Sequence, residues 1–240
     1  MKSTFLIMRR ELGAYLRSMS GYVIAAIVLL VDGLLFNALA LSGEKLSSEV
    51  LSQFFFNSSG VVMVASVFIS MRLFAEERQT GTLVLLASSP VHDWEIVIGK
   101  FLAALIFLML IMAATVFMPL LIFVNGKISL GHMAAGYIGL LLLGAASLAI
   151  GTFGSSLART QVLAAIFSGC IVVALIVCWM LAKVTEAPLN DMFTALALHG
   201  RHFPPFQAGA VHLRDVGYYL MVTYMALFSA TRVMEARRWR

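Results

Sequence analysis

Charge is what this sequence has least of: 12% of its 240 residues are Asp, Glu, Lys or Arg and 61% are hydrophobic, against about a quarter charged and half apolar in soluble domains. That balance excludes an ordinary soluble fold and, with a mean hydropathy of +0.94, puts most of the chain in lipid. Cysteine is nearly missing too. Cys170 and Cys178 stand in one apolar run, about 12 Å apart along a helix, so they form no disulfide within it and read as packing residues. No basic stripe with interleaved aromatics supports a nucleic-acid partner. The phosphate loop of an ATPase is also missing: around Gly126-Lys127, Leu121 and Ile128 occupy the positions that need Gly and Ser or Thr. No Ser-His-Asp, Cys-His or paired-carboxylate arrangement emerges at membrane depth, which argues against an intramembrane hydrolase and for a non-catalytic chain. Repeats, low-complexity tracts and the boundary of a second soluble domain are absent as well, so residues 1–240 read as a single transmembrane domain.

What is present is a series of apolar runs, each long enough for a hydrocarbon core of about 30 Å. They fall at about 21–41, 57–74, 100–124, 133–155, 161–183 and 213–233. In lipid such runs satisfy their backbone as helices, so the expected fold is all-α and polytopic with six transmembrane helices. Ahead of them, Phe5, Met8, Leu12, Tyr15, Leu16 and Met19 share one helical sector while Arg10 and Arg17 point elsewhere, which predicts an amphipathic interfacial helix over 1–20. Arg9, Arg10, Glu11 and Arg17 interrupt this stretch, unlike a cleaved secretory signal. The net charge of +5 is distributed unevenly over the connections. Lys2, Arg9, Arg10, Arg17, Arg72, Arg78, Lys100, Arg159, Arg232, Arg237, Arg238 and Arg240 fall on one side, and only Lys45, Lys127, Lys183, Arg201 and Arg214 on the other. By the positive-inside rule both termini are cytoplasmic.

The longest cytoplasmic connection, about 75–99, brackets an apolar centre with charge: Glu76, Glu77 and Arg78 before it, Asp93, Glu95 and Lys100 after it. Thr82 is a candidate N-cap, and Leu83, Leu86 and Ala87 then share a face before Pro90 stops the helix. A short helix apolar on one side lies on the bilayer or docks in a partner's groove. The residues alone fit both uses equally.

The motif itself resembles the ABC-2 type permeases. Their segment after span two reads Glu-Glu-Arg-x-x-Gly-Thr-Leu, then Leu-Leu, a Pro-Val pair and a Gly-Lys-Phe that opens span three. Glu76, Glu77, Arg78, Gly81, Thr82, Leu83, Leu85, Leu86, Pro90, Val91, Gly99, Lys100 and Phe101 fit that pattern, while Val84 departs from the acidic residue usual there. His202, Phe203, Phe206, Gly209, Leu213, Arg214, Asp215 and Tyr218 resemble the approach to span six in the subgroup of gliding-motility-associated and copper-processing permeases. The resemblance implies a coupling helix that sits in a cleft of a separate cytoplasmic ATPase, with Glu76, Glu77, Arg78, Gly81, Thr82, Leu83, Leu86, Pro90, Trp94 and Glu95 as the coupling interface. It implies partners as well: a dimer of ATPase subunits that binds ATP and Mg, a second permease copy or a paralogue, and membrane lipid. The location it implies is the bacterial inner membrane. This chain itself is expected to hold no cofactor.

Other residues carry two readings each. Asp32, in the middle of span one, faces protein or water rather than lipid, either on a translocation path or as a bonded packing residue. Gly144, Ser147, Gly151 and Ser155 form a face of span four suited to close helix approach, within the chain or at a seam between subunits. Pro119 is expected to kink span three. His199 and His202, with Phe203 and Phe206, form a candidate surface for an external partner on the 184–212 loop, and two histidines without a third ligand make no metal site. Function reads as an ATP-coupled transport subunit, exporting a substrate or exerting force on an external partner. The rivals are a secondary transporter or channel with Asp32 as an ion site, and a membrane scaffold through which an ATPase drives an external protein.

Overall fold

A computed structural model describes residues 2–40, 46–82, 91–122, 129–186 and 188–238. Every regular element among them is helical. Helix α1 (Lys2–Arg17) ends where Ser18 turns extended, and the Ser18 hydroxyl accepts the Gly21 N–H at 3.2 Å to start α2 (Met19–Leu35). This N-cap separates the two helices. A π-helical turn, Phe36–Ala40, closes α2. Helix α3 (Ser47–Ser70) is followed, after a break at Met71, by α4 (Arg72–Gln79).

Helix α5 (Asp93–Thr115) gives way at Val116 to the short α6 (Phe117–Ile122). Pro119 has no N–H to offer the Thr115 carbonyl four residues back, which accounts for the interruption expected in this span. Then come α7 (Leu130–Leu157), α8 (Gln161–Val184), the external α9 (Leu189–Leu196) and α10 (Pro204–Gln207), and finally α11 (Leu213–Arg238).

Among the described residues, five helical stretches are long and apolar enough to cross a membrane: Met19–Leu39, Ser47–Gln79, Asp93–Ile122, Leu130–Leu157 and Gln161–Val184. Two of them overrun the expected boundaries. The 33 residues of Ser47–Gln79 reach about 50 Å, well past the hydrocarbon, so their ends carry Ser, Glu and Gln that mask the helix in a hydropathy reading. The sixth expected span corresponds to α11. Its 26 residues reach about 39 Å, but Tyr218, Tyr219, Thr223, Tyr224, Ser229 and Thr231 dilute its apolar character. The Thr223, Ser229 and Thr231 hydroxyls each donate to the carbonyl four residues earlier, at 2.8, 2.8 and 2.9 Å.

Helix α7 is the axis of the bundle. It packs against α3, α5, α8 and α11, and small residues let the neighbours come close: Gly144 faces Leu108 and Val62, and Gly151 faces Ser70. The face singled out in the sequence thus serves packing within the chain. Helices α2 and α8 instead stand at the flanks, with Val23, Ile27, Leu30, Leu34, Ile166 and Val173 exposed. Between α2 and α3 runs an apolar groove of about 840 Å³, and between α3 and α8 another of about 520 Å³.

Candidate functional site

The hairpin between α4 and α5 begins at a break in the helix. Ser155 of α7 bridges the break at Met71. Its hydroxyl accepts from Phe74 and Ala75 N–H at 3.1 and 3.2 Å and donates to the Met71 carbonyl at 3.1 Å. Helix α4, the rod that ends the long Ser47–Gln79 stretch, is thus bonded to α7 at its first turn. Its last turn is fixed to the same helix: the Arg78 guanidinium donates to the carbonyls of Ser156 (2.8 Å), Leu157 (3.4 Å) and Ala158. Arg237 of α11 adds a bond to the Leu157 carbonyl at 3.0 Å. Two cations thus cover the negative end of the α7 dipole and its unpaired carbonyls.

Glu77 ties the rod sideways. Its carboxylate meets Lys100 Nζ of α5 at 2.9 Å and Arg10 of α1 at 3.1 Å. Lys100, 1% exposed, also meets Glu11 of α1 at 3.1 Å, and Arg10 closes the ring on Glu11 at 2.7 Å. Burial pushes the Glu11 carboxyl up, but attraction from Lys100 and hydrogen bonds from Arg10 and Lys100 outweigh it and hold the group below its ordinary value. Gly99 makes the approach of α1 feasible, because a Cβ there would press on Ile7 and the Thr4 carbonyl at 3.0 Å. Farther along α1, the Tyr15 hydroxyl donates to the Ile69 carbonyl at 2.7 Å, its ring stacks on Phe107, and the Arg72 guanidinium lies over it. Burial drives the Tyr15 phenol far above its ordinary value, so it remains a donor. Arg72 itself pairs with Glu76 at 2.8 Å. Beside these groups is a cleft of about 190 Å³, lined in part by Glu76, Glu77, Thr80, Thr82 and Lys100.

The sequence reading made all ten coupling residues one interface, and the structure divides them. Glu77 and Arg78 face inward and join helices, and Glu95 is buried in the first turn of α5. Exposed are Thr80, Gly81 and Thr82 at the end of α4 and Trp94 at the start of α5. Gly81 adopts φ +72°, the left-handed turn that ends α4. Thr82 does not cap a following helix within the described residues: its hydroxyl bonds Thr80 and the Glu77 carbonyl, at 3.0 and 3.4 Å. Leu83, Leu86 and Pro90 lie outside the described residues. Glu11, Arg10 and Ser155 were missed as members of this site. The signal for Glu11 was on the page: a lone acid in a basic amphipathic helix.

Asp32 is buried and accepts from the Ser58 hydroxyl at 2.8 Å, tying α2 to α3. It is not among the residues that line either apolar groove. The external residues also part from the expected surface. His202, Phe203 and Phe206 are 3%, 0% and 0% exposed, because the segment after α9 folds back into the bundle. Leu198 N–H bonds the Leu175 carbonyl within α8, and the Tyr219 hydroxyl bonds the Leu198 carbonyl at 3.0 Å. Irregular backbone at this depth needs such burial and pairing. His202 Nδ1 meets Asp215 at 2.7 Å while its ring stacks on Tyr218. The half-buried His199 bonds Ser59, whose single proton goes to the Phe56 carbonyl, so His199 Nε2 is the donor. Burial lowers its affinity for a second proton. Among the described residues no three metal-ligating side chains converge.

These joints fall on the motif residues of a known family, and a family comparison agrees: the model of the ABC-2 family transporter proteins matches residues 5–230. The chain belongs to the ABC-2 transporter family. It is therefore a multi-pass membrane permease of the ABC transporter class, a family that works with a separate ABC ATPase. No curated protein matches the sequence. In this permease the Glu-Glu-Arg and Gly-Lys segments face each other across the hairpin as the pair Glu77 and Lys100.

Proposed function

We propose that the permease is the membrane half of an ATP-driven complex in the bacterial inner membrane, and that α4 with its charged clamp is the part that moves when the ATPase moves. The observation that carries this reading is the rod itself. One short helix at the cytoplasmic hairpin is fixed at once to α7 by Ser155 and Arg78, to α5 by Lys100 and to α1 by Arg10. Force on the exposed tip at Thr80, Gly81, Thr82 and Trp94 reaches the central helix through these joints. The ATPase dimer binds ATP and Mg; this chain binds neither. Helix α11 makes the sixth span, which leaves both termini in the cytoplasm. A second copy of the permease, or a paralogue, covers the apolar α2, α3 and α8 flank, and the path for an exported substrate, or the moving surface for an external partner, forms there.

A secondary transporter built on Asp32 has less in its favour, since that carboxyl is bonded to Ser58 and turned away from both grooves. The test is the complex of permease and ATPase reconstituted in vesicles. Arg78→Gln should leave the ATPase bound while substrate- or partner-stimulated ATP hydrolysis falls to the basal rate. Full stimulation in that variant, or purification from native membranes with no ATP-binding subunit attached, would sink the proposal.

A further inference from the structure

Helix α1 has two faces, and the clamp uses only one. Tyr15 is buried, and Ile7, Leu12 and Glu11 are turned toward the bundle. The opposite side carries Phe5, Leu6 and Leu16, 58%, 64% and 41% exposed. The apolar sector expected to lie wholly on lipid is thus split, with its Tyr15 edge docked on protein. Interleaved with the exposed apolar residues are Arg9 and Arg17, both exposed.

Arg9, Gly13 and Arg17 follow at four-residue steps, so they run as one ridge with about 12 Å between its ends. Gly13 interrupts that ridge: a Cβ there would meet nothing within 4 Å. The result is a shallow groove of about 480 Å³ lined by Leu6, Arg9, Arg10, Gly13, Ala14 and Arg17. The acids near it are committed elsewhere. Glu11 faces Lys100 and Arg10 across the helix, and Glu77 is bound to the same two cations.

We propose that this groove binds the phosphate headgroup of an anionic phospholipid of the cytoplasmic leaflet, held between Arg9 and Arg17 over Gly13. Guanidinium forks match phosphate oxygens bidentately. The glycine leaves room for the phosphodiester to approach the helix, and Phe5, Leu6 and Leu16 sit beside the start of the acyl chains. A soluble phosphate ligand would use the cations and leave those apolar side chains in water, which favours lipid as the source. Because Arg10 and Glu11 on this helix also belong to the clamp, a bound headgroup would steady the element that anchors α4. The inference rests on the proposed orientation of the permease, with α1 in the cytoplasm, and does not require that ATP drives it.

The test uses the full-length permease alone in phosphatidylcholine vesicles, with spin-labelled phosphatidylglycerol and spin-labelled phosphatidylcholine as probes of first-shell lipid. Each guanidinium contributes about a fivefold preference for the anionic probe, to be lost at high salt. The double variant Arg9→Gln/Arg17→Gln should abolish that preference. Gly13→Leu should reduce it with every charge in place, because the new side chain fills the groove without touching the bundle. Arg159→Gln/Arg232→Gln, which removes the same charge elsewhere on the cytoplasmic side, should leave it unchanged. A preference that survives filling at Gly13, or that falls equally when Arg159 and Arg232 are neutralised, overturns the site. Since no ATPase is present, either result is independent of the coupling proposal.

Discussion

The two ends of the bundle are joined by different chemistry. At the end that the proposed orientation makes cytoplasmic, four side chains, Arg10, Glu11, Glu77 and Lys100, hold three helices together within 3.1 Å. At the external end the same task falls to rings: His202 on Tyr218 at 3.8 Å, His199 on Phe203 at 5.1 Å, Phe206 near Tyr219 at 6.3 Å. Among the described residues one ion-pair geometry, His202 with Asp215, joins them. Close-packed rings resist displacement in every direction. A ring of charges around one lysine has alternative pairings at similar energy, so it accommodates a shift of α4 without losing its partners. The external end is a plug and the cytoplasmic end a joint.

The largest effect expected from breaking this contrast is at Lys100. Lys100→Met removes the buried cation and leaves the half-buried Glu11 and Glu77 to Arg10 alone, and loss of one member of a buried ion-pair network costs up to about 3–5 kcal/mol. Thermal unfolding in detergent should show that loss together with collapse of stimulated ATP hydrolysis in the reconstituted complex. Combining Lys100→Met with Glu11→Gln and Glu77→Gln should restore most of the stability but not the coupling. If the triple variant couples normally, the charges are mere scaffolding. Asp215→Ala at the other end is expected to cost about 1.5–3 kcal/mol, the range for a buried hydrogen bond to a charged group. Stimulation per folded molecule should remain intact there. A coupling defect from Asp215→Ala would mean that the plug moves as well.

Gly81→Ala has a smaller expected cost, about 1 kcal/mol, because φ +72° is strained for any side chain while the space around it is open. The unfolding midpoint should therefore shift little. Stimulated hydrolysis should fall more than stability does, since the turn aims the exposed tip.

How much of this was legible differs by element. The apolar runs announced the all-α fold, and the Glu-Glu-Arg and Gly-Lys segments announced the family. The direction in which their side chains point was not legible. Glu77 and Arg78 read as solvated charges offered to a partner, because a charge run says nothing about distant partners such as the Lys100 ammonium for Glu77 or, 79 residues from Arg78, the Leu157 carbonyl. Ser155 read as a small packing residue; its role depends on the break at Met71, which propensity does not mark. His202, Phe203 and Phe206 read as an external surface because a loop between spans is normally outside, and only long-range pairing to Leu175 and Tyr219 draws that segment inward.

The smallest expected effect is also the most specific to the joint. Glu11 has its carboxyl held below its ordinary value of 4.5 in the folded protein. A depressed folded value means that the unfolded chain takes up the proton first as acid is added. The stabilisation from ionised Glu11 is then fully present above pH 4.5 and is lost as pH falls through the lower folded value. The wild-type permease should be more stable than Glu11→Gln at pH 7, and the gap should close as the solution is acidified below 4.5. Unfolding midpoints of the two proteins across that range measure it directly. A gap that stays constant would mean that Glu11 acts through its shape and hydrogen bonds alone, and that α1 is attached to the joint without sharing its charge.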